Sequence, residues 1–319
     1  EFSRLYYMNK KIITALAALT LLIPVAANAA PTLQNKTVVA PSIAILDTAL
    51  DTSLPIFKDK IAYEVCITEW SGCPNRLDFM EGQNASTLPV NYLKANGFDH
   101  GTQMASLAVA TNPNIKIVFV RIIGSDSSGY RQPTSDITLN KALDWVASNK
   151  DRFNIQAVSM SQGHHVLGAA GTDYCPKTPS TDSRIQTLAS ANIPVFFPAG
   201  NARDYVRVDW PGCIKSAITV GATMPTNDVA IYTNYDPNVV DFFALGTTQA
   251  TTVGGSKINV AGTSASAVIA ATQWATVKLA KPTLTYSQIY NLLSATSIAT
   301  KNSKVSSGKL INLNGALNG

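Results

Sequence analysis

The amino-acid sequence predicts an α/β protein: a doubly wound, mostly parallel sheet with helices on both faces, in a single domain. Two observations support this. Short apolar runs alternate with helical patterns along most of the chain, and strand–helix alternation implies parallel pairing through crossovers. The apolar runs are also nearly continuous, as expected of strands covered on both faces. A chain of 319 residues that is 46% hydrophobic and 14% charged can build one sizeable core and does not read as disordered. No Pro/Gly/Ser-rich linker, internal repeat or low-complexity tract divides it, so one domain is expected.

The elements follow in order. Residues 42–46 (SIAIL) read as a buried strand ending at Asp47. Residues 101–110 read as a helix that opens just after His100. Residues 115–123 (IKIVFVRII) form a second strand. Residues 137–148 are an amphipathic helix in which Ile137, Leu139, Ala142, Leu143, Trp145 and Val146 can share one side. Residues 155–160 are a third strand, and 181–191 a helix with Ser or Thr available as its N-cap. Residues 193–197 (IPVFF) and 217–220 (AITV) supply two more strands. The stretch 264–279 is long, helical and nearly free of charge, so it must be buried on most sides. A last helix spans 286–295. In such a sheet the functional site lies at the carboxyl ends of the strands, and that is where Asp47 and Asn201 fall.

The first residues stand apart from this pattern. Residues 1–7 precede Met8 and read as a remnant upstream of the start. Residues 8–29 have the anatomy of a secretory signal peptide: a basic start (Met8-Asn9-Lys10-Lys11), an apolar run broken by Pro24, and a small-x-small end (Ala27-Asn28-Ala29). The apolar run is short of the roughly 20 residues a membrane span needs. Export to the medium or a periplasm is therefore expected, with no membrane association once the signal is removed. Of the net charge of +5, Arg4, Lys10 and Lys11 against Glu1 account for +2, which leaves +3 from Ala30 onward. So mild and dispersed a charge excludes nucleic acid as an expected partner.

The four cysteines are Cys66, Cys73, Cys175 and Cys213. An even count in an exported chain favours disulfides. Of the three possible pairings, Cys66–Cys73, which closes a small local loop, and Cys175–Cys213 are favoured. With no CxxC pair and no nearby His, zinc is not expected.

Four segments carry potential chemistry: AILDTALDTSLP (44–55), DHGTQMA (99–105), Pro198-Ala199-Gly200-Asn201, and NVAGTSASA (259–267). Each alone has a bland reading. An aspartate after a strand is commonly a turn former, and Gly-Thr-Ser is common in turns. Together, and in this order, they resemble the subtilisin-like serine protease family (subtilase, peptidase family S8), over roughly residues 40–315. Asp47-Thr48 is similar to the family's aspartate motif, His100-Gly101-Thr102 to its histidine motif and Gly262-Thr263-Ser264 to its serine motif. Ala199-Gly200-Asn201 is similar to its oxyanion segment. The order Asp…His…Ser differs from the Ser…Asp…His of the α/β-hydrolases.

The resemblance implies a secreted serine endopeptidase working through an acyl-enzyme. Ser264 would be the nucleophile, His100 the general base and acid, Asp47 the carboxylate that orients His100, and Asn201 an oxyanion donor beside the Ser264 N–H. The residue types suit the task. A serine hydroxyl needs a neighbouring base, and an imidazole titrates near ~6.5. Asp99 is a rival partner for His100, but chain neighbours seldom face each other's rings, and Asp47 is preferred. The resemblance also implies that a polypeptide substrate lies as an extended strand between Ser128-Gly129-Tyr130 and Ser161-Gln162-Gly163. Gly163, Ala199 and Gly200 would then line a first pocket with room for a large apolar side chain. A monomer is expected.

The chain departs from the family pattern at several points. Ala49 stands where Gly is usual, Gln103 where a second His is common, and Val268 where Pro is usual. Residues 30–319 are expected to be the peptidase domain without an N-terminal pro-domain, because only 17 positions separate Ala30 from Asp47. No cofactor is expected. Asp51 stands where a calcium ligand can occur in the family, but the usual calcium loop after the histidine motif is missing, and structural calcium is left unplaced. The alternative reading is a binding protein of the same fold with weak or no activity.

Overall fold

The computed structural model describes residues 39–95, 97–125, 128–166, 174–301 and 308–319. The predicted signal peptide, residues 8–29, lies outside the described residues. The chain runs β1 (Ser42–Asp47), β2 (Ile61–Ile67), β3 (Phe79–Glu81), α1 (Val90–Ala95), α2 (His100–Thr111), β4 (Lys116–Arg121), α3 (Asp136–Asn149), β5 (Ile155–Met160), α4 (Pro179–Ser190), β6 (Val195–Pro198) and β7 (Ile218–Thr223). It continues through β8 (Val240–Leu245), β9 (Thr247–Thr251), β10 (Lys257–Ala261), α5 (Thr263–Ala280), α6 (Tyr286–Thr296), β11 (Ile298–Ala299), β12 (Lys309–Leu310) and α7 (Leu313–Asn318).

Ten strands form one sheet in the order β11-β12-β8-β7-β6-β5-β1-β4-β2-β3. Every pairing from β12 to β2 is parallel. Only the outer pairs, β11 with β12 and β3 with β2, are antiparallel. The predicted doubly wound parallel sheet is thus present. A separate antiparallel hairpin joins β9 to β10.

The central strand shows why the apolar runs are unbroken. All six residues of β1 are buried. Ala44 and Leu46 face a core that also contains Leu139, Leu143 and Val146 of α3 and Ile185 and Leu188 of α4. Ile43 and Ile45 face a second core with Met104, Ala105 and Ala108 of α2 and Val268, Ala271 and Trp274 of α5. A strand between two apolar layers cannot alternate in polarity. The helix predicted at 264–279 is α5. It is buried on most of its circumference, with Trp274 fully enclosed between Phe196 (ring centroids 5.9 Å apart) and Tyr286 (5.2 Å).

Helix starts follow local chemistry. The Ser135 side chain accepts from Ile137 N–H at the start of α3. Thr285 and Gln288 form a capping box on α6. Both favoured disulfides, Cys66–Cys73 and Cys175–Cys213, are formed. Among the described residues no helix is long and apolar enough to cross a membrane.

Truncating the most enclosed aromatic measures how far the fold relies on α5. Trp274→Ala should cost about 3–5 kcal/mol, the range for a buried large-to-small change. Urea unfolding should show this as a lowered midpoint at unchanged m-value.

Candidate active site

Asp47 is the last residue of β1 and is fully buried. Its Oδ1 receives three donors: the Thr48 N–H (2.6 Å), His100 Nδ1 (2.8 Å) and Gln162 Nε2 (2.9 Å). Its Oδ2 is buried with no partner among the described residues. His100 opens α2. Its place is fixed from below, because Gly101 N–H donates to Thr48 Oγ1 (2.9 Å), which itself donates to Phe98 O (2.8 Å). A Cβ on Gly101 would lie 2.6 Å from both Ala49 O and Phe119 Cζ. Only glycine lets α2 come this close to the strand end. The rival carboxylate, Asp99, is engaged elsewhere: its Oδ2 accepts from Gln103 Nε2 (2.8 Å) and Thr252 Oγ1 (2.9 Å).

Ser264 is the second residue of α5. The first turn of a helix presents unpaired N–H groups and a favourable dipole to negative charge. In this structure Ser264 Oγ donates to Ser161 O (3.2 Å), and the Ser264 carbonyl accepts from Ser161 Oγ (3.0 Å). Among the described residues no hydrogen bond joins Ser264 to His100. Both nevertheless border one cavity of about 350 Å³, together with Asn201, Gln103 and Met104.

Asn201 is held by its oxygen. Oδ1 accepts from Thr263 N–H (2.9 Å) and Thr263 Oγ1 (3.0 Å), while that hydroxyl accepts from Gly200 N–H (3.1 Å). This fixes the amide so that Nδ2 has no acceptor among the described residues. A Cβ on Gly262 would be 3.6 Å from Asn201 Nδ2 and 3.8 Å from Ser264 N. Two donors therefore border the same spot.

The expected substrate-facing residues divide. Ser128 and Tyr130 are exposed, and Gly129 is a buried turn glycine with φ +84°. They directly precede Arg131, which pairs with Ser125. Ser161 touches Ser264. The Gln162 side chain is buried and turned inward to Asp47, where the sequence reading had it at a substrate edge.

The residues expected to line an open apolar pocket, Gly163, Ala199 and Gly200, have different surroundings. Ala199 is fully buried in the core. A Cβ on Gly163 would sit 2.5 Å from Trp210 O. One on Gly200, whose φ is +109°, would sit 2.3 Å from Asp209 Cγ and 2.4 Å from Asn234 Nδ2. Gly163 is itself exposed and has the Trp210 carbonyl on its Cβ side, while the space behind Gly200 is filled and polar.

That wall is a network the sequence reading missed. Asp209 Oδ1 accepts from His165 Nδ1 (2.9 Å) and Asn234 Nδ2 (2.8 Å). Asn234 Oδ1 in turn accepts from the N–H groups of Ala202 and Asp204. Burial pushes the Asp209 carboxyl above its ordinary range, and the His165 contact only partly offsets this. The residues come from distant loops, and nothing in their spacing signals the meeting.

The carboxylate of Asp51 is engaged within the chain. Asp51 Oδ1 accepts from Ser53 N–H and Oγ, and its Oδ2 accepts from Gly254 N–H (3.1 Å). Among the described residues no group of three or more His, Cys, Asp or Glu is arranged to hold a metal ion.

Comparison with known proteins agrees with this architecture. The chain belongs to the subtilase family (Peptidase S8), whose family model matches residues 39–315. Alkaline elastase YaB of Bacillus sp. (strain YaB) is 27% identical over 256 residues, which is 77% of this chain and 62% of the elastase. The chain thus spans less than two thirds of that relative's length. Subtilisin Savinase of Lederbergia lenta is 24% identical over 242 residues, covering 73% of this chain and 82% of Savinase. Among solved structures, the epidermin leader peptide processing serine protease EpiP from Staphylococcus aureus superposes with a TM-score of 0.69 at 17% identity, over 87% of this chain and 75% of EpiP. A protease from Pseudoalteromonas arctica PAMC 21717 gives 0.66 at 20% identity, over 87% and 89%. At such identities the superpositions show the shared fold.

The Asp209 network makes a pH prediction. A carboxyl whose folded-state value is raised keeps its proton in the native state after the unfolded chain has lost it. Its contribution to stability is therefore full in acid and is lost as pH rises through the ordinary carboxylate range to the raised value. Asp209→Asn does not titrate. In urea unfolding, the stability of Asp209→Asn relative to wild type should rise between strongly acidic and neutral pH. A fall over that range would mean that the His165 ion pair outweighs burial.

Proposed function

We propose that the chain is an exported serine endopeptidase that hydrolyses polypeptides through an acyl-enzyme. The observation that carries this reading is the 2.8 Å contact of His100 Nδ1 with the buried Asp47 Oδ1, on the rim of the cavity that Ser264 and Asn201 share. An aspartate bonded to Nδ1 holds the imidazole with Nε2 free to act as base. Ser264 Oγ leaves Ser161 O and gives its proton to His100 Nε2 as it attacks the scissile carbonyl. Catalytic hydrogen bonds are often long or unmade before substrate binds. Asp47 stabilises the imidazolium without taking the proton.

The developing oxyanion is received by Ser264 N–H and Asn201 Nδ2, the second of which Thr263 has already oriented. His100 then donates its proton to the leaving amine, and water repeats the sequence to release the acid. The substrate lies as a strand between 128–130 and 161–163, bound mainly through its main chain. Two disulfides fit a chain that matures in an oxidising compartment.

The test is active-site labelling by a fluorophosphonate probe at neutral pH. Wild type should label and Ser264→Ala should not. Asn201→Ala should lower kcat on a peptide substrate by roughly 10²–10³, the usual effect of losing one oxyanion donor. A folded wild type that neither labels nor cleaves would overturn the reading. The fold would then serve as a binding module, and Ser264 would stay bonded to Ser161.

A further inference from the structure

Gln162 has no task in the proposed reaction, yet it is unusually constrained. It is 4% exposed. Its Nε2 lies 2.9 Å from Asp47 Oδ1 and 3.0 Å from His100 Nδ1. Its Oε1 accepts from Arg131 Nη2 at 2.7 Å. Chemistry dictates which end of the amide faces which charge. A guanidinium only donates and a carboxylate only accepts, so the oxygen must face Arg131 and the nitrogen Asp47. Flipping the amide would make both contacts repulsive. Arg131 also donates to Gly97 O (3.3 Å), two residues before Asp99 at the approach to α2.

Asp47 needs such a partner. One oxygen carries every hydrogen bond it makes, and the other has none among the described residues. The carboxylate's rotation is thus set by the directions of the donors on Oδ1. The Thr48 N–H comes from its own backbone and the His100 donor is the group being oriented. Gln162 is the only side chain other than His100 that donates to Asp47 among the described residues. Arg131, which fixes it, directly follows residues 128–130 at the expected substrate edge.

We propose that Gln162, locked in one orientation by Arg131, is a positioning residue. It holds the Asp47 carboxylate, and through it the His100 ring, and it couples that geometry to the segment that borders the substrate. This rests on the peptidase reading for its catalytic consequence, but the geometric part can be tested without turnover.

The experiment compares wild type, Gln162→Leu, Arg131→Met and the double variant. Kinetics use a soluble peptide amide, and NMR follows the far-downfield ring N–H of His100. Each single variant should lower kcat on the order of tenfold, the size of one hydrogen bond to a charged group. KM should stay within about twofold, as expected when no substrate contact is lost. The double variant should be no worse than Gln162→Leu, because Arg131 acts through Gln162. The ring N–H resonance should move in both single variants, including in a Ser264→Ala background that cannot turn over.

A raised KM at unchanged kcat would make Gln162 a substrate contact and overturn the proposal. So would additive losses in the double variant, or an unmoved resonance. If Gln162→Leu does not fold, the exposed Arg131→Met decides by the same readouts. If folded wild type lacks activity, the peptidase reading fails and the resonance alone judges Gln162.

Discussion

An ionised carboxylate with no solvent exposure costs several kcal/mol unless donors surround it. At the tip of the central strand, Asp47 has three donors on Oδ1 and no partner on Oδ2 among the described residues, and much of the neighbouring structure follows from how those three are supplied. The Thr48 N–H is available because the strand ends there. Thr48 also uses its hydroxyl to tie down Phe98 O and Gly101 N–H. That tie, and the missing Cβ at Gly101, bring the start of α2 against the strand end, so His100 arrives facing the carboxylate. Gln162 adds the third donor from just beyond the end of the neighbouring parallel strand β5.

The second half of the site depends on a different economy of atoms. Thr263 uses one N–H and one hydroxyl to organise Gly200 and Asn201, so a loop after β6 and the first turn of α5 become one unit. The rigidity of that unit comes from below. α5 is anchored in the apolar layer under the sheet, and its first turn cannot tilt without disturbing Trp274 and its aromatic neighbours. Polar precision at the rim is supported by apolar packing beneath it.

Much of this was legible in the sequence. The central strands and main helices were readable because burial on both faces writes continuous apolar runs, as in SIAIL and IPVFF. The residues around Asp47, His100, Asn201 and Ser264 stood out through their motifs. β8 was missed because its VDFFAL run is interrupted by Asp241 and starts half-buried, and the β9–β10 hairpin because TTQAT and KINVA carry little apolar signal. The surroundings of Gly163 and Gly200 escape the sequence for a related reason. A glycine records that something comes close, and the sequence does not say what. Here the neighbours are the Trp210 carbonyl, 47 residues along the chain from Gly163, and the Asp209 carboxylate, nine residues after Gly200. The roles of Gln162 and Arg131 were unreadable for the same reason: contacts set by tertiary folding have no period.

His100 and Ser264 sit on the first turns of α2 and α5, and these two helices pack together on the same side of the sheet, in a core to which they contribute small residues such as Ala105, Ala108, Ala265 and Ala271. At their far ends they are pinned by Asn112 Nδ2 donating to Thr276 Oγ1 (2.8 Å). The reach from base to nucleophile is therefore geared to the thickness of an alanine seam. One methylene added deep in that seam would act like a shim, spreading the two side chains at the rim without touching either.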